Sequence, residues 1–235
     1  MNFSAYQQAP RKLANMDFFK RGGVMAQLIY VVDPMCSWCW GFAPVIRRLR
    51  DEAGHAVEVL LGGLRAGETR GMTPAMRHTI QHHWQQVAET TGQAFQFEGA
   101  LRDGFVYDTE PACRAVVVMR QLKPAAALDY LHDLQEAFYA RAQDLTQLSV
   151  LAELAEAHAV TAESFAGLWS DTAIQLSTAA DFERKDQLGV QGFPCVLVDT
   201  GQRLRLVSMG YQPFDIMQQQ IERRLLRDAE NATRH

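Results

Sequence analysis

The first quarter of the chain alternates between apolar runs and an amphipathic stretch. Residues 26–32 are mostly aliphatic, β-branched or aromatic, which is typical of a buried strand, and the turn signal Asp33-Pro34 ends the run. Apolar residues then recur at helical spacing over residues 40–49, and residues 56–61 form a second apolar run. This order of strand, helix and strand predicts a βαβ unit.

The rest of the chain changes from a helical pattern back to strands. Capping residues and prolines at first turns indicate six helix starts, namely Thr73-Pro74, residues 108–111, Pro124, Asp144 or Thr146, Thr161 and Thr172. Two strands over residues 195–198 and 204–207 then flank a hairpin turn signal at residues 199–201, and an amphipathic helix follows Pro213.

These elements predict an α/β fold that is interrupted by helices. We assign residues 25–62 and 189–235 to one α/β domain and residues 63–188 to an all-helical domain inserted after the βαβ unit. Residues 1–24 form an N-terminal extension that we expect to be disordered.

Charge and hydropathy exclude several function classes. The 235 residues carry a net charge of −4, and the basic residues are scattered, so we expect no binding to nucleic acid or to an anionic membrane. No apolar run approaches the roughly 18 residues of a membrane-spanning helix. Spread charges and Asp17 break the order of a signal peptide in the first 25 residues, so we expect a cytoplasmic protein.

A cysteine pair, Cys36-Ser37-Trp38-Cys39, stands where the first strand gives way to the first helix. In a reducing compartment such a pair is more often reactive than structural. Backbone N–H groups at a helix N-terminus favour a thiolate, which is the species that attacks a disulfide. We therefore predict that Cys36 is an exposed nucleophile and that Cys39, one turn later, is a more buried resolving thiol.

Two motifs together resemble the DsbA-like family of the thioredoxin superfamily. They are residues 33–40, which contain the cysteine pair, and residues 189–194 (Gly-Val-Gln-Gly-Phe-Pro) before the terminal ββα segment. The first looks closest to the cytoplasmic FrnE-like branch of predicted protein-disulfide isomerases. The resemblance implies a thioredoxin fold with a large helical insertion and a cis Pro194 that faces the cysteines. The Phe193 backbone would then offer an edge to an extended substrate, beside Trp38. The alternative is an ordinary trans proline at the start of an edge strand.

The sequence departs from this family pattern at two positions. Trp38 replaces a histidine that is common in periplasmic members, so we expect a less oxidising couple. Tyr30 replaces the acid that thioredoxin-like proteins often carry six positions before the first cysteine. The nearest acid is Asp33, which is either the proton acceptor for Cys39 or a turn residue that caps the helix.

Other candidates carry both a chemical and a structural interpretation. Cys195 follows Pro194. It is either a core residue that strand alternation turns inward or a third redox thiol. Cys113, near the start of an apolar helix, is expected to pack in the core. Arg65, after the second strand, either holds a peptide or glutathione carboxylate or is surface. Ser37 lies between the cysteines. Four apolar residues near the pair predict a rim for unfolded substrates unless the last two simply pack: Met35, Trp38, Trp40 and Phe42.

Metal sites are the weaker interpretation. His78 and His82 lie four apart on a predicted helix, where a solvated surface is favoured over a metal pair. A zinc site formed by all four cysteines is a rival, although structural zinc usually takes two close pairs. We therefore predict no metal.

The sequence thus predicts a thiol:disulfide oxidoreductase that acts as a reductase or isomerase. We expect no cofactor beyond the redox-active pair itself, with glutathione possible as the reductant. Its partners would be proteins with thiols or disulfides, or low-molecular-weight thiols, together with a thiol reductant system. The alternative is a glutathione-dependent isomerase or a kappa-type glutathione transferase, whose relatives usually have serine in place of the first cysteine.

Overall fold

The structure, a computed structural model, describes residues 25–232, so the predicted N-terminal extension lies outside the described residues. The chain begins with the predicted βαβ unit, formed by β1 (Gln27–Val32), α1 (Ser37–Asp51) and β2 (Ala56–Leu61). It ends with β3 (Cys195–Asp199), β4 (Leu204–Met209) and α8 (Phe214–Ala232). Six helices lie between these halves: α2 (Pro74–Thr91), α3 (Glu110–Leu122), α4 (Ala127–Tyr139), α5 (Leu148–Glu156), α6 (Ala162–Trp169) and α7 (Thr172–Gln187).

The strands form one mixed sheet in the order β2-β1-β3-β4. β1 is parallel to β2 and antiparallel to β3, and β4 pairs antiparallel with β3. Because the two halves of the chain meet at β1 and β3, the sheet brings the end of β1, where the cysteine pair follows, next to the start of β3. This is the predicted α/β architecture.

The central strand β1 is buried on both faces. Leu28, Tyr30 and Val32 belong to the large core, which continues through the helices, whereas Ile29 and Val31 belong to a smaller core on the opposite face. Two buried faces explain why the strand is a continuous apolar run rather than an alternating one.

The helix starts follow the sequence signals with two exceptions. Thr73 and Thr161 cap α2 and α6 through their side-chain oxygens, as predicted. Pro124 opens a short 3₁₀ turn, Pro124–Ala126, before α4 rather than an α-helix. Neither Asp144 nor Thr146 caps α5, whose N-cap is residue 147. The Asp144 carboxylate instead accepts hydrogen bonds from the backbone N–H and the hydroxyl of Thr146.

Within residues 25–232 the helices are all too short or too polar to cross a lipid bilayer.

The end of β2 packs directly against the loop before β3. A Cβ on Gly62 would lie 2.1 Å from the ring of Phe193, so only glycine leaves room for that ring. Gly62 also donates its N–H to the Val32 carbonyl at 2.8 Å. The ring of Phe193 therefore fixes its loop onto the βαβ unit.

We predict that Gly62→Ala lowers the free energy of unfolding by about 1–3 kcal/mol, because the added methyl displaces a packed ring. Urea denaturation measures the change. Gly167→Ala is the control, since nothing lies near its Cβ position in α6; the helix gains about 0.5–1 kcal/mol there. Equal stability of Gly62→Ala and the wild type would contradict the packing described.

Candidate functional site

Cys36 is the N-cap residue of α1. Its backbone is extended, and its carbonyl accepts the N–H groups of Cys39 and Trp40 at 3.0 and 3.1 Å. Ser37, half-buried, is the first residue of the helix. The first turn of α1 contains no acidic side chain, so the positive end of the helix is not neutralised from within that turn. Helix N-termini of this kind favour a nearby negative charge.

Cys36 is less exposed than the sequence led us to expect. Its relative exposure is 8%, which places it in the large core, whereas Cys39 has an exposure of 0%. The prediction that Cys36 is an exposed nucleophile is wrong in degree, because the loop before β3 closes over it. The predicted order of burial holds, with Cys39 the more buried of the two.

The closing loop carries a cis peptide bond between Phe193 and Pro194, as the family resemblance implies. The Cys36 thiol donates to the Phe193 carbonyl oxygen, with 3.9 Å between sulfur and oxygen. The Pro194 carbonyl in turn accepts the N–H of Gly210 at 2.7 Å, which ties the loop to the end of β4. Residues 157 positions apart in the sequence thus face each other across the site.

Cys39 lies behind Cys36, against β1. Burial and the neighbouring Cys36 raise the pKa of the Cys39 thiol well above its usual value, so it is held as a thiol. The hydroxyl of Tyr30 donates to the Cys39 carbonyl at 3.5 Å. Tyr30, whose pKa burial raises well above its usual value, therefore places a neutral phenol beside Cys39.

Asp33 is the charged group of the site. Its side chain has 0% exposure. One carboxylate oxygen accepts the Met35 N–H at 2.8 Å, and the other accepts the Leu64 N–H at 2.7 Å. Asp33 is therefore a turn residue, but it does not cap α1, whose N-cap is Cys36. Burial raises the pKa of the Asp33 carboxyl above the ordinary 3.8.

Two side chains that complete this site were missed by the sequence analysis. The Cys113 thiol, on α3, donates to the Asp33 carboxylate at 3.5 Å, so this cysteine does more than pack. The Tyr107 hydroxyl donates to the Met35 carbonyl at 2.6 Å and fixes the turn before Cys36. Neither residue belongs to a local motif; Cys113 on α3 and Tyr107 in the segment before α3 come close to the cysteine pair although they are about 70 to 80 residues away in sequence.

Arg65 lies beside the same turn. Its guanidinium is over the ring of Tyr107, 5.4 Å from the ring centroid, and its backbone N–H donates to the hydroxyl of Thr109. Residues 64–68 line an open cleft of about 430 Å³.

The apolar rim differs from the one that was predicted. Met35, Trp40 and Phe42 are buried in the large core and cannot contact a substrate. Trp40 and Phe42 lie on the face of α1 that packs into the core, and Met35 lies in the turn that contacts Tyr107. The apolar side chains that remain accessible near the cysteines come from four different segments: Trp38, Leu64, Phe193 and Tyr211. Trp38 and Tyr211 pack together, with 6.3 Å between ring centroids.

Cys195 lies in the smaller core, on the sheet face opposite to the cysteine pair. It is fully buried, as strand alternation predicts, and burial raises its pKa to about 11. The structure therefore does not bring the four cysteines together around one zinc ion. His78 and His82 are exposed on α2. Within residues 25–232, no group of three or more His, Cys, Asp or Glu side chains is arranged to hold a metal ion.

Comparison with known proteins places the whole site in one family. The sequence model of the DSBA-like thioredoxin domain matches residues 27–222. A solved structure from Nitrosomonas europaea, described provisionally as a protein disulfide isomerase, is 38% identical, with 87% of this chain and 99% of that chain covered and a TM-score of 0.81. The cytosolic disulfide reductase DsbM from Pseudomonas aeruginosa is 26% identical, with 85% and 98% covered and a TM-score of 0.71.

Curated relatives are more distant. The ClpXP adapter protein SpxH from Shouchella clausii is 24% identical over 196 residues, which cover 81% of this chain and 64% of that protein. SpxH from Bacillus subtilis is 24% identical over 147 residues, or 46% of its length. The chain therefore spans less than two thirds of the length of these relatives.

The family match begins at β1 and ends within α8, so it includes the cysteine pair and the cis-proline loop together. The mixed sheet and the helices between its halves are those of the thioredoxin-like fold that the resemblance implies. This chain belongs to the DSBA-like thioredoxin domain family, a family of thiol:disulfide oxidoreductases and isomerases.

Proposed function

We propose that this protein catalyses dithiol–disulfide exchange as a reductase or isomerase, with Cys36 as nucleophile and Cys39 as resolving thiol. The observation that carries the proposal is the position of Cys36. It is the N-cap of α1, and its sulfur lies 3.9 Å from the carbonyl of the residue before cis Pro194. A thiolate and a backbone edge for the substrate are thereby offered at one place.

In the first step the Cys36 thiolate attacks one sulfur of a substrate disulfide. A bond forms between that sulfur and Cys36, the substrate S–S bond breaks, and the second substrate sulfur leaves as a thiolate that takes a proton from solvent. Cys39 cannot perform this attack because its side chain is fully buried. The difference in burial supports this assignment of the two roles.

In the second step Cys39 must lose a proton before it attacks the Cys36 sulfur. Asp33 is the proposed proton acceptor, because it is a buried carboxyl with a raised pKa and lies close enough to Cys39 for both its backbone and its charge to act on that thiol. The Cys39 thiolate then attacks the Cys36 sulfur, the Cys36–Cys39 disulfide forms, and the substrate sulfur that was bonded to Cys36 leaves as a thiolate. Two electrons pass from the dithiol to the substrate, and two external thiols return them.

The electrostatics of Asp33 suit this role. The carboxyl is buried, and its raised pKa brings its titration closer to neutral pH than that of an exposed aspartate. Its direct partners among the described residues are neutral donors, so no cation holds it permanently ionised. A buried carboxylate without a cation is unfavourable for stability, and such groups are concentrated at functional sites.

The proposed substrates are proteins with disulfides or low-molecular-weight disulfides, in the cytoplasm. The cytosolic reductase DsbM supports this location and direction through its 26% identity to this chain. The accessible apolar rim formed by Trp38, Leu64, Phe193 and Tyr211 suits an unfolded polypeptide. Arg65 and its cleft suit a carboxylate, either of a peptide or of glutathione, which is the proposed reductant. No metal or organic cofactor takes part in the proposed cycle.

The alternative class is a glutathione-dependent isomerase or kappa-type transferase. A 2-hydroxychromene-2-carboxylate isomerase has the same fold, with a TM-score of 0.61, but only 12% sequence identity. Cysteine at both positions of the pair favours disulfide exchange over this alternative. Titration with glutathione and an electrophile, followed by analysis for a thioether product, distinguishes the two classes.

Substitution of each thiol tests the assignment of roles. We expect Cys36→Ser to reduce turnover of a small disulfide to the uncatalysed rate, and Cys39→Ser to trap the mixed disulfide on Cys36, which mass spectrometry detects. Cys195→Ser is the matched control, because the Cys195 thiol is as fully buried as that of Cys39 but lies on the opposite face of the sheet. Wild-type turnover by Cys36→Ser would refute the assignment.

The pH dependence of stability tests the state of Asp33. Because its pKa is higher in the folded protein than the ordinary 3.8, the folded state holds this proton more tightly than the unfolded chain. The wild type should therefore lose stability relative to Asp33→Asn as the pH rises from about 4 towards neutral, since the proton is lost there. Urea denaturation of both proteins across this range gives the difference, and an opposite slope would show that Asp33 is stabilised as an anion.

A further inference from the structure

Four groups act on the carboxylate of Asp33 through hydrogen bonds, and one of them is chemically unusual. Two are backbone N–H groups, from Met35 and Leu64, which any side chain at those positions would supply. The Thr109 side chain is the third. The fourth is the Cys113 thiol, a side-chain donor on α3 that lies 3.5 Å from the same oxygen that Leu64 contacts. Both Asp33 and Cys113 have 0% exposure, so no bulk water competes for this contact.

The direction of this hydrogen bond is fixed by chemistry. Burial raises the pKa of the Cys113 thiol well above its usual value, and the neighbouring Asp33 raises it further. Cys113 therefore keeps its proton and acts as a donor, and the oxygen of Asp33 accepts. A donor to the ionised carboxylate favours the charged form of Asp33, which is the form that can take a proton from Cys39.

We infer that Cys113 is a positioning residue of this reaction: its S–H group orients the Asp33 carboxylate and stabilises it as the base that accepts the proton of Cys39. The inference rests on the exchange reaction proposed above. It assigns a role to a third thiol that itself takes no part in any bond exchange. In the resolving step the proton moves from the Cys39 sulfur to Asp33, the Cys39–Cys36 bond forms, and the bond from Cys36 to the substrate sulfur breaks.

The groups that act electrostatically with Asp33 come from four other segments, and all are neutral at acidic and neutral pH. They are Cys39 on α1, Cys113 on α3, Tyr107 before α3 and Tyr139 on α4. Burial is the largest cause of the raised pKa of each. Glu110, which acts on Cys113, is paired with Arg114, and Arg65 lies over Tyr107. Asp33 is thus the group of this cluster that titrates on the acidic side.

The resolving step can be measured apart from the first attack. The reduced protein is mixed in a stopped-flow instrument with an excess of an aromatic disulfide whose thiolate absorbs visible light. The first thiolate is released at a rate that depends on the concentration of the disulfide, and the second at a rate that does not. In the second phase Cys36 is already in a disulfide and cannot titrate, so the pH profile of that phase reports on Asp33 and Cys39.

Three variants separate hydrogen bonding from packing. Cys113→Ala removes the donor, and Cys113→Ser, of nearly the same size as alanine, restores one. At mildly acidic pH we expect the second phase to be slower in Cys113→Ala by about threefold to tenfold, the effect of one lost hydrogen bond. The rates should converge at alkaline pH, and Cys113→Ser should return to the wild-type profile. In an Asp33→Asn background, Cys113→Ala should have no further effect.

Each result decides whether Cys113 positions Asp33 or only packs in the core. An unmoved profile in Cys113→Ala overturns the inference, and so does a profile of Cys113→Ser that matches Cys113→Ala, because both would show that the thiol only packs. An additive effect in the Asp33→Asn background overturns it as well. If the wild type releases no second thiolate, the proposed exchange reaction fails instead, and that outcome is separate from the comparison of variants.

Discussion

The carboxylate of Asp33 joins the parts of the chain that form the site. It accepts hydrogen bonds from the turn after β1, from the segment after β2 and from α3. These contacts hold the junction between β1 and α1 in place, and that junction sets where Cys36 stands at the helix N-terminus. A neutral apolar side chain could fill the same volume, but it would leave two buried backbone N–H groups without acceptors, which is unfavourable.

Burial makes the negative charge of Asp33 unfavourable. The Asp33 carboxyl is fully buried, and among the described residues it has neutral donors as partners rather than a cation, so ionisation destabilises the fold. The proposed cycle uses this property, since a carboxyl that readily takes a proton can accept one from Cys39. Thioredoxin-like sequences often have an acid at the position of Tyr30. In this chain the acid nearest to the cysteine pair is instead Asp33, three positions before Cys36.

The sequence predicted the strands, most helices and the cysteine pair because their signals are local. The continuous apolar run of β1, the threonine caps of α2 and α6, and the spacing of Cys36 and Cys39 each involve a few consecutive residues. The cis Pro194 came from family resemblance rather than from the residues themselves. Cys113 and Tyr107 could not be predicted, because their roles depend on the packing of helices against a turn that is 72 or more positions away in the chain. The burial of Cys36 was missed for the same reason, since it depends on the distant loop at Phe193.

The most direct test of the account is a redox titration of the full chain in glutathione buffers, with trapping of free thiols and peptide mass spectrometry at each poise. We predict one two-electron transition in which Cys36 and Cys39 pass from dithiol to an intramolecular disulfide, while Cys113 and Cys195 stay reduced throughout. The absence of a Cys36–Cys39 bridge at every poise, or a bridge that uses Cys113 or Cys195 instead, would contradict the account.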